Sequence, residues 1–170
     1  RDAIELELHD IEYNSVLDVG CGTGLFADCF KGEYTGVDIN QDYIRAALKR
    51  KGRFLVADAT ALPFGDETFD LVFSLGLLHH ADSQKQKKIL DEMWRVCKRE
   101  GHILIMDGLV PSSRFNVPGY VLAKLDRGRF KVSIKEFKEI IAFAYPSAGG
   151  VRYADVKSFP YELVAAMVRR

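Results

Sequence analysis

Strand-like and helix-like patterns take turns along this sequence, and that order leaves few folds open. "SVLDVG" (15–20), "YTGVDI" (34–39), "RFLVAD" (53–58), "FDLVFSLG" (69–76) and "HILIMDGL" (102–109) are short, mostly apolar runs bounded by turn-forming residues, and they read as buried strands. Between them lie helical patterns. The first sets Leu25, Phe26, Cys29 and Phe30 on one face, and the second turns Tyr43, Ile44, Ala47 and Leu48 inward. A third, from about Ser83 to Lys98, turns Ile89, Leu90, Met93, Trp94 and Cys97 inward. Pro63, Gly65 and Asp66 mark "ATALPFGDET" (59–68) as a loop. Strands linked through helices need crossover connections, hence a largely parallel sheet covered on both faces.

The last third is less regular. From Pro111 to Lys131 there is no steady period, and Pro118, Gly119, Gly128 and three arginines interrupt it. Ser133 and Glu136 then make a capping box ahead of Phe137, Ile140, Ile141 and Ala144, and Pro146, Gly149 and Gly150 end that helix. "VRYADVKSF" and "ELVAAMVRR" read as two closing strands. Without a repeat, a low-complexity tract or a linker, residues 1–170 are expected to form a single domain.

Composition narrows the function. With 48% hydrophobic residues the chain can bury a sizeable core. Its 24 basic and 24 acidic residues cancel, so no whole-molecule field gathers polyanions, and nucleic acid is not an expected partner without a local patch. The basic run at Lys85, Lys87 and Lys88 reads as the solvated face of a helix. Cys21, Cys29 and Cys97 form no C-x-x-C pair and leave one over, which fits a reducing, cytoplasmic setting. The four histidines lack metal-ligand spacing, so no metal is expected. No apolar run approaches the roughly 20 residues of a membrane span. A chain that opens on Arg1 is compatible with a trimmed N-terminus and a lost targeting segment.

The chemistry concentrates at "LDVGCGTG" (17–24), where the first strand runs into Gly20, Gly22 and Gly24, separated by Cys21 and Thr23. Glycines there let a ligand approach the main chain at the carboxyl edge of the sheet, where ligands of open α/β sheets bind. A dinucleotide site wants G-x-G-x-x-G, but position 25 is Leu25 and the spacing is G-x-G-x-G. Asp38 ends the second strand and suits ribose hydroxyls of any adenosine ligand. Asp18, two residues before the glycines, suits a cationic amino group and repels a pyrophosphate. Asp58 ends the third strand and suits an adenine amino group. The three acids end successive strands and form a row along one rim.

These segments, with "VDIN", "ADATALPFGDETFDLVFSLGLLHH" and "LDEMWRVCKREGHILIMDG", resemble the class I S-adenosylmethionine-dependent methyltransferases, in particular the small-molecule group of the ubiquinone and menaquinone methyltransferases, over about residues 15–108. The resemblance implies a Rossmann-like three-layer sandwich with a mostly parallel seven-stranded sheet and an antiparallel last strand. It implies that Gly20, Gly22 and Gly24 meet the methionine part of the cofactor, with Asp18 near its amino group and Ser74 and Leu75 beside it. Asp38 then takes the ribose hydroxyls, Ile39 packs on adenine, and Asp58 with Ala59 reaches the adenine edge. Arg99-Glu100-Gly101-His102 stands where relatives have Pro-Gly-Gly, in a turn remote from the cofactor.

Methyl transfer requires alignment, a dry pocket and, for hydroxyl acceptors, a base. His79 and His80 are the candidates for that base, with pocket shaping or capping the favoured alternative. Asp107 either faces the acceptor or caps its strand. Arg114 and Tyr120, with Phe115, Arg127, Arg129 and Phe130, make the irregular segment the expected acceptor wall, suited to an acidic or phosphorylated small molecule. The expected product is S-adenosylhomocysteine. The alternatives are a cofactor-binding regulator without turnover, an RNA methyltransferase and a nicotinamide oxidoreductase.

Overall fold

The computed structural model describes residues 1–109, 130, 132–158 and 161–170. The strands β1 (Ser15–Val19), β2 (Glu33–Asp38), β3 (Arg53–Val56), β4 (Phe69–Leu75), β5 (Cys97–Gly108), β6 (Gly150–Ser158) and β7 (Tyr161–Arg169) form one sheet in the order β3-β2-β1-β4-β5-β7-β6. β1 to β5 pair in parallel, and β7 runs antiparallel between β5 and β6. The helices are α1 (Asp2–Leu8), α2 (Gln41–Ala47), α3 (Ser83–Val96) and α4 (Ile134–Ala144). This is the expected Rossmann-like sandwich with its antiparallel last strand.

Strand alternation sorts the core into two layers. Leu17, Val19, Val72, Ile103 and Ile105 face Ile89, Leu90 and Met93 of α3 and Phe137 and Ile141 of α4. On the other face, Val16, Leu71, Phe73, Leu104 and Met106 join Ile4 and Leu8 of α1 and Ile44 and Ala47 of α2. The chain steps outward from β1 to β3 and returns to β4, so the order reverses between β1 and β4 and opens a crevice at their carboxyl ends.

The segment after β1 departs from its helical pattern. Residues 21–30 form turns and a single 3-10 turn, Ala27–Cys29, closed by bonds such as Cys29 N to Phe26 O, and Leu25 is 53% exposed. Five-residue β1 is about 17 Å long. Once the glycines have reversed the chain, too few residues remain for the 1.5 Å rise of an α-helix to retrace it, whereas a 3-10 turn rises about 2.0 Å per residue. In α2 the expected inner face is narrower: Ile44 and Ala47 are buried, but Tyr43 and Leu48 are 47% and 63% exposed. Two helical turns offer the sheet only one i, i+3 pair.

α3 stops at Val96, because Cys97 already pairs with Phe69 as the first residue of β5, and Trp94 lies half-buried, stacked on Tyr145 with ring centroids 5.1 Å apart. The departure at Arg99-Glu100-Gly101-His102 thus lies inside β5, where Glu100 adopts φ +63° and its amide donates to Arg170 O. The capping box forms as its spacing predicts: Ser133 Oγ accepts the Glu136 amide and Glu136 Oε2 accepts the Ser133 amide.

Candidate functional site

The carboxyl ends of β1, β2 and β3 and the start of α3 enclose a cleft of about 300 Å³ whose lining includes Gly20, Asp38, Ile39, Asp58, Ala59 and Leu77. A larger recess of about 550 Å³ lies at the amino ends of β2 and β3, bounded by Asp28, Glu33, Lys51 and Arg53. Parallel sheets present ligand-binding loops at their carboxyl ends, so the smaller cleft is the candidate site.

Gly20, Gly22 and Gly24 have φ of +79°, +54° and +68°, a region that side chains disfavour. Their surroundings differ. A Cβ on Gly24 would stand 2.7 Å from the Phe54 ring, so that glycine serves packing against β3, whereas one on Gly22 would meet nothing within 4 Å. Bare main chain at Gly22 therefore faces open space. Cys21 is buried beneath the turn, and burial, then the charges of Asp18 and Asp38, push its thiol well above the ordinary range, which makes it unreactive. Thr23 is exposed and its carbonyl accepts from Arg50 Nε at 3.0 Å.

Asp38 is half-buried and holds two loops. Its Oδ2 accepts the Gly22 amide at 2.9 Å and its Oδ1 the Asn40 amide at 2.8 Å. A carboxylate has about four lone-pair positions, so capacity remains for a ligand's hydroxyls. Ile39, beside it, is 70% exposed on the cleft lining. Asp58 Oδ1 accepts the Thr60 amide and hydroxyl, both at 2.8 Å, and these bonds hold its carboxyl below the ordinary range. The neighbouring loop is braced from α3: Arg95 donates to Leu62 O, Phe64 O, Asp66 and Glu92, and Glu92 accepts the Leu62 amide at 2.6 Å.

The row of three acids is not level. Asp38 and Asp58 stand at the rim, but Asp18 is buried two residues below the turn, where Tyr34 Oη donates to its Oδ2 at 2.5 Å. Burial pushes Asp18 up to about 7, the Tyr34 bond opposes that rise and the Asp38 charge adds to it. Ser74 is 1% exposed and its hydroxyl has no hydrogen-bond partner among the described residues, while Leu75 is half-buried next to it.

His79 and His80 occupy a 3-10 turn, Leu78–His80, after β4, and their surroundings separate them. His80 is exposed and lines the cleft. His79 is buried, with Nδ1 bonded to the Asp107 carboxylate, which also accepts the His79 and Gly108 amides. Gln86 of α3 braces the turn through Leu78 O, and the Phe130 amide donates to His79 O at 3.0 Å. Asp107 is thus bound into the turn that carries His79. Arg114 and Tyr120 lie outside the described residues.

Two features gave no sequence signal. Tyr34 looks like any strand aromatic until the register sets it diagonally across from Asp18. Lys85 and Lys88, read as a solvated face, line the cleft near Asp58, and among the described residues only Lys87 of that run is ion-paired, to Asp91.

A seven-stranded sheet of this order, with a three-glycine turn at its switch point and a carboxylate at the end of β2, defines the class of S-adenosylmethionine-dependent methyltransferases. The residues present fit that cofactor: open main chain at Gly22, an exposed apolar Ile39, and carboxylates with acceptor capacity to spare. The chain belongs to the methyltransferase domain family, which matches residues 17–105. It is 34% identical over 122 residues to a demethylmenaquinone methyltransferase of Thermotoga maritima, covering 67% of this chain and 52% of that protein. It is 36% identical over 95 residues to a tRNA (carboxymethyluridine(34)-5-O)-methyltransferase of Arabidopsis thaliana, covering 53% and 23% respectively. The chain therefore spans between about a quarter and about half the length of these relatives. A crystal structure of a SAM-dependent methyltransferase from Methanosarcina mazei shares the fold with a TM-score of 0.73 at 18% identity, over 97% of this chain and 96% of that one. Among the described residues, no helix is long and apolar enough to cross a membrane.

Proposed function

We propose that the protein, acting as a single methyltransferase domain, transfers a methyl group from S-adenosylmethionine to a small organic acceptor. The observation that carries this reading is the cleft at the carboxyl ends of β1, β2 and β3, lined by Gly20, Asp38 and Asp58, with Asp38 also holding the amide of the open Gly22 main chain. When bound, the cofactor supplies a methyl group already activated by its sulfonium. Asp38 holds the ribose hydroxyls, Ile39 packs on the adenine, and Asp58 with Ala59 meets its polar edge. Gly20, Gly22 and Asp18 bind the amino-acid part, with Ser74 and Leu75 beside it.

With the donor group activated, the chain's work is orientation, which provides roughly 7 to 11 kcal/mol in well-aligned intramolecular reactions. For a hydroxyl acceptor, His79 is the base. The Asp107 carboxylate is bonded to His79 Nδ1 and orients the ring, which makes Nε2 the nitrogen assigned to take a proton from the acceptor. His80 shapes the cleft wall. On this reading Arg114 and Tyr120 supply a cation and a phenol that favour an acidic or phosphorylated acceptor.

A second reading, an RNA nucleoside as acceptor, draws on the Arabidopsis relative's name and on Lys85 and Lys88 at the cleft. Formation of S-adenosylhomocysteine is the test, measured with a panel of phenols, quinols, carboxylic acids and sugar phosphates and, separately, with transfer RNA. Turnover on the small acceptors supports the proposal. Turnover on RNA alone, with salt-sensitive binding, replaces it. Cofactor binding without turnover on either makes the protein a cofactor-responsive regulator.

A further inference from the structure

Asp18 is 3% exposed, and no lysine or arginine among the described residues pairs with it. A buried carboxylate without a cation or several donors is costly, and here the described residues supply a single side-chain donor, the Tyr34 phenol. The register explains why it reaches. Tyr34 pairs with Val16 and Asp18 with Gly36, so both side chains emerge on one face, and Gly36 adds none of its own between them. The Tyr34 ring is wedged between Phe30 and Phe54, with centroids 5.7 and 5.6 Å away, which fixes where its hydroxyl points. Tyr34 is itself 8% exposed, and burial followed by the Asp18 charge raises its phenol far beyond the ordinary range, so it stays a donor.

We propose that Tyr34 is a positioning residue of the cofactor site, whose hydroxyl aims Asp18 and favours its ionised form so that the carboxylate receives the cationic amino group of the bound nucleoside. This rests on the cofactor reading above. The titratable groups around Asp18 are Tyr34 and Asp38 of β2 and Cys21 of the turn, with Cys29 acting on Tyr34; from β4 its neighbour is the apolar Phe73. Asp38 and the two thiols supply no positive charge, which leaves that part to the ligand. Below neutral pH, binding releases the Asp18 proton to solvent as the amino group takes its place.

The test compares S-adenosylhomocysteine, which carries the amino-acid part, with 5′-methylthioadenosine, which lacks it, by calorimetry at pH 5.5 and 7.5. In the wild type, affinity for the homocysteine compound rises by about an order of magnitude between these pH values, as Asp18 ionises, while that for methylthioadenosine stays flat. Tyr34→Phe keeps the ring packing and weakens S-adenosylhomocysteine by about tenfold at pH 7.5, moving its pH profile upward, with methylthioadenosine within about twofold. Asp18→Asn loses the pH dependence and keeps methylthioadenosine binding. If Tyr34→Phe leaves S-adenosylhomocysteine binding and its pH profile unchanged, or weakens both ligands alike, the positioning role is wrong although the cofactor reading survives. If the wild type binds neither ligand, both fall.

Discussion

Asp38 Oδ2 accepts the Gly22 amide at 2.9 Å, so the acid that ends β2 also pins the glycine turn that follows β1. Ligand binding and local backbone order share one carboxylate. Asp38→Ala is expected to orphan the Gly22 and Asn40 amides, costing about 1 kcal/mol and lowering Tm by about 2 to 4 °C. It also removes the shift in melting temperature that S-adenosylhomocysteine gives the wild type. Thermal melts with and without ligand check both effects, and a full ligand shift in the variant would locate the nucleoside elsewhere.

His79, held by Asp107, is absent from the cleft lining that carries Asp38, Ile39 and Asp58, whereas its neighbour His80 is part of it. His79→Ala should therefore retain stabilisation by S-adenosylhomocysteine while kcat on a hydroxyl acceptor falls by about 10² to 10⁴-fold. Steady-state kinetics beside thermal shifts separates the two. An equal loss of cofactor binding would make the histidine structural.

Asp70 anchors the lower end of the sheet by accepting the Asn14 and Ser15 amides, the Ser15 hydroxyl and Lys98 Nζ. Burial disfavours its charge, but Lys98 and these donors outweigh burial and bring the carboxyl down to about 2 from 3.8. A depressed carboxyl stabilises the fold above its unfolded value, and that contribution is lost as pH falls from about 4 to about 2. Asp70→Asn should cost about 2 kcal/mol at neutral pH and flatten the acid limb of the stability profile, read by urea unfolding at stepped pH.

Arg95 reaches across to Leu62 O at 3.1 Å and Phe64 O at 2.8 Å, and so ties the loop before β4 to α3. Arg95→Met removes the donor of those carbonyls, leaves Glu92 with the Leu62 amide alone, and is expected to destabilise by about 1 to 3 kcal/mol. Hydrogen exchange should show residues 61–66 losing protection ahead of the sheet. Uniform loss across the sheet would mean that the brace is global.

The strands were legible because a sheet buried on both faces writes continuous apolar runs, and the helix over 134–144 because Ser133 and Glu136 announce it locally. The glycine spacing and Asp38 also sit in one short segment each, so the cleft could be located from sequence. The remainder depends on long-range geometry. Nothing local shows that Tyr34 meets Asp18, that Arg95 grips residues 33 and 31 positions away, or that His79 closes on Asp107. The 3-10 turn at 27–29 carries a helical apolar spacing, while the distance back along β1 sets its backbone.

Isothermal titration of the intact protein with S-adenosylhomocysteine, beside NAD, bears most directly on the assignment of the cleft. One site for the homocysteine compound, lost in Asp38→Ala, and no heat with NAD is the predicted result. Binding of NAD in its place, or of neither ligand, contradicts it.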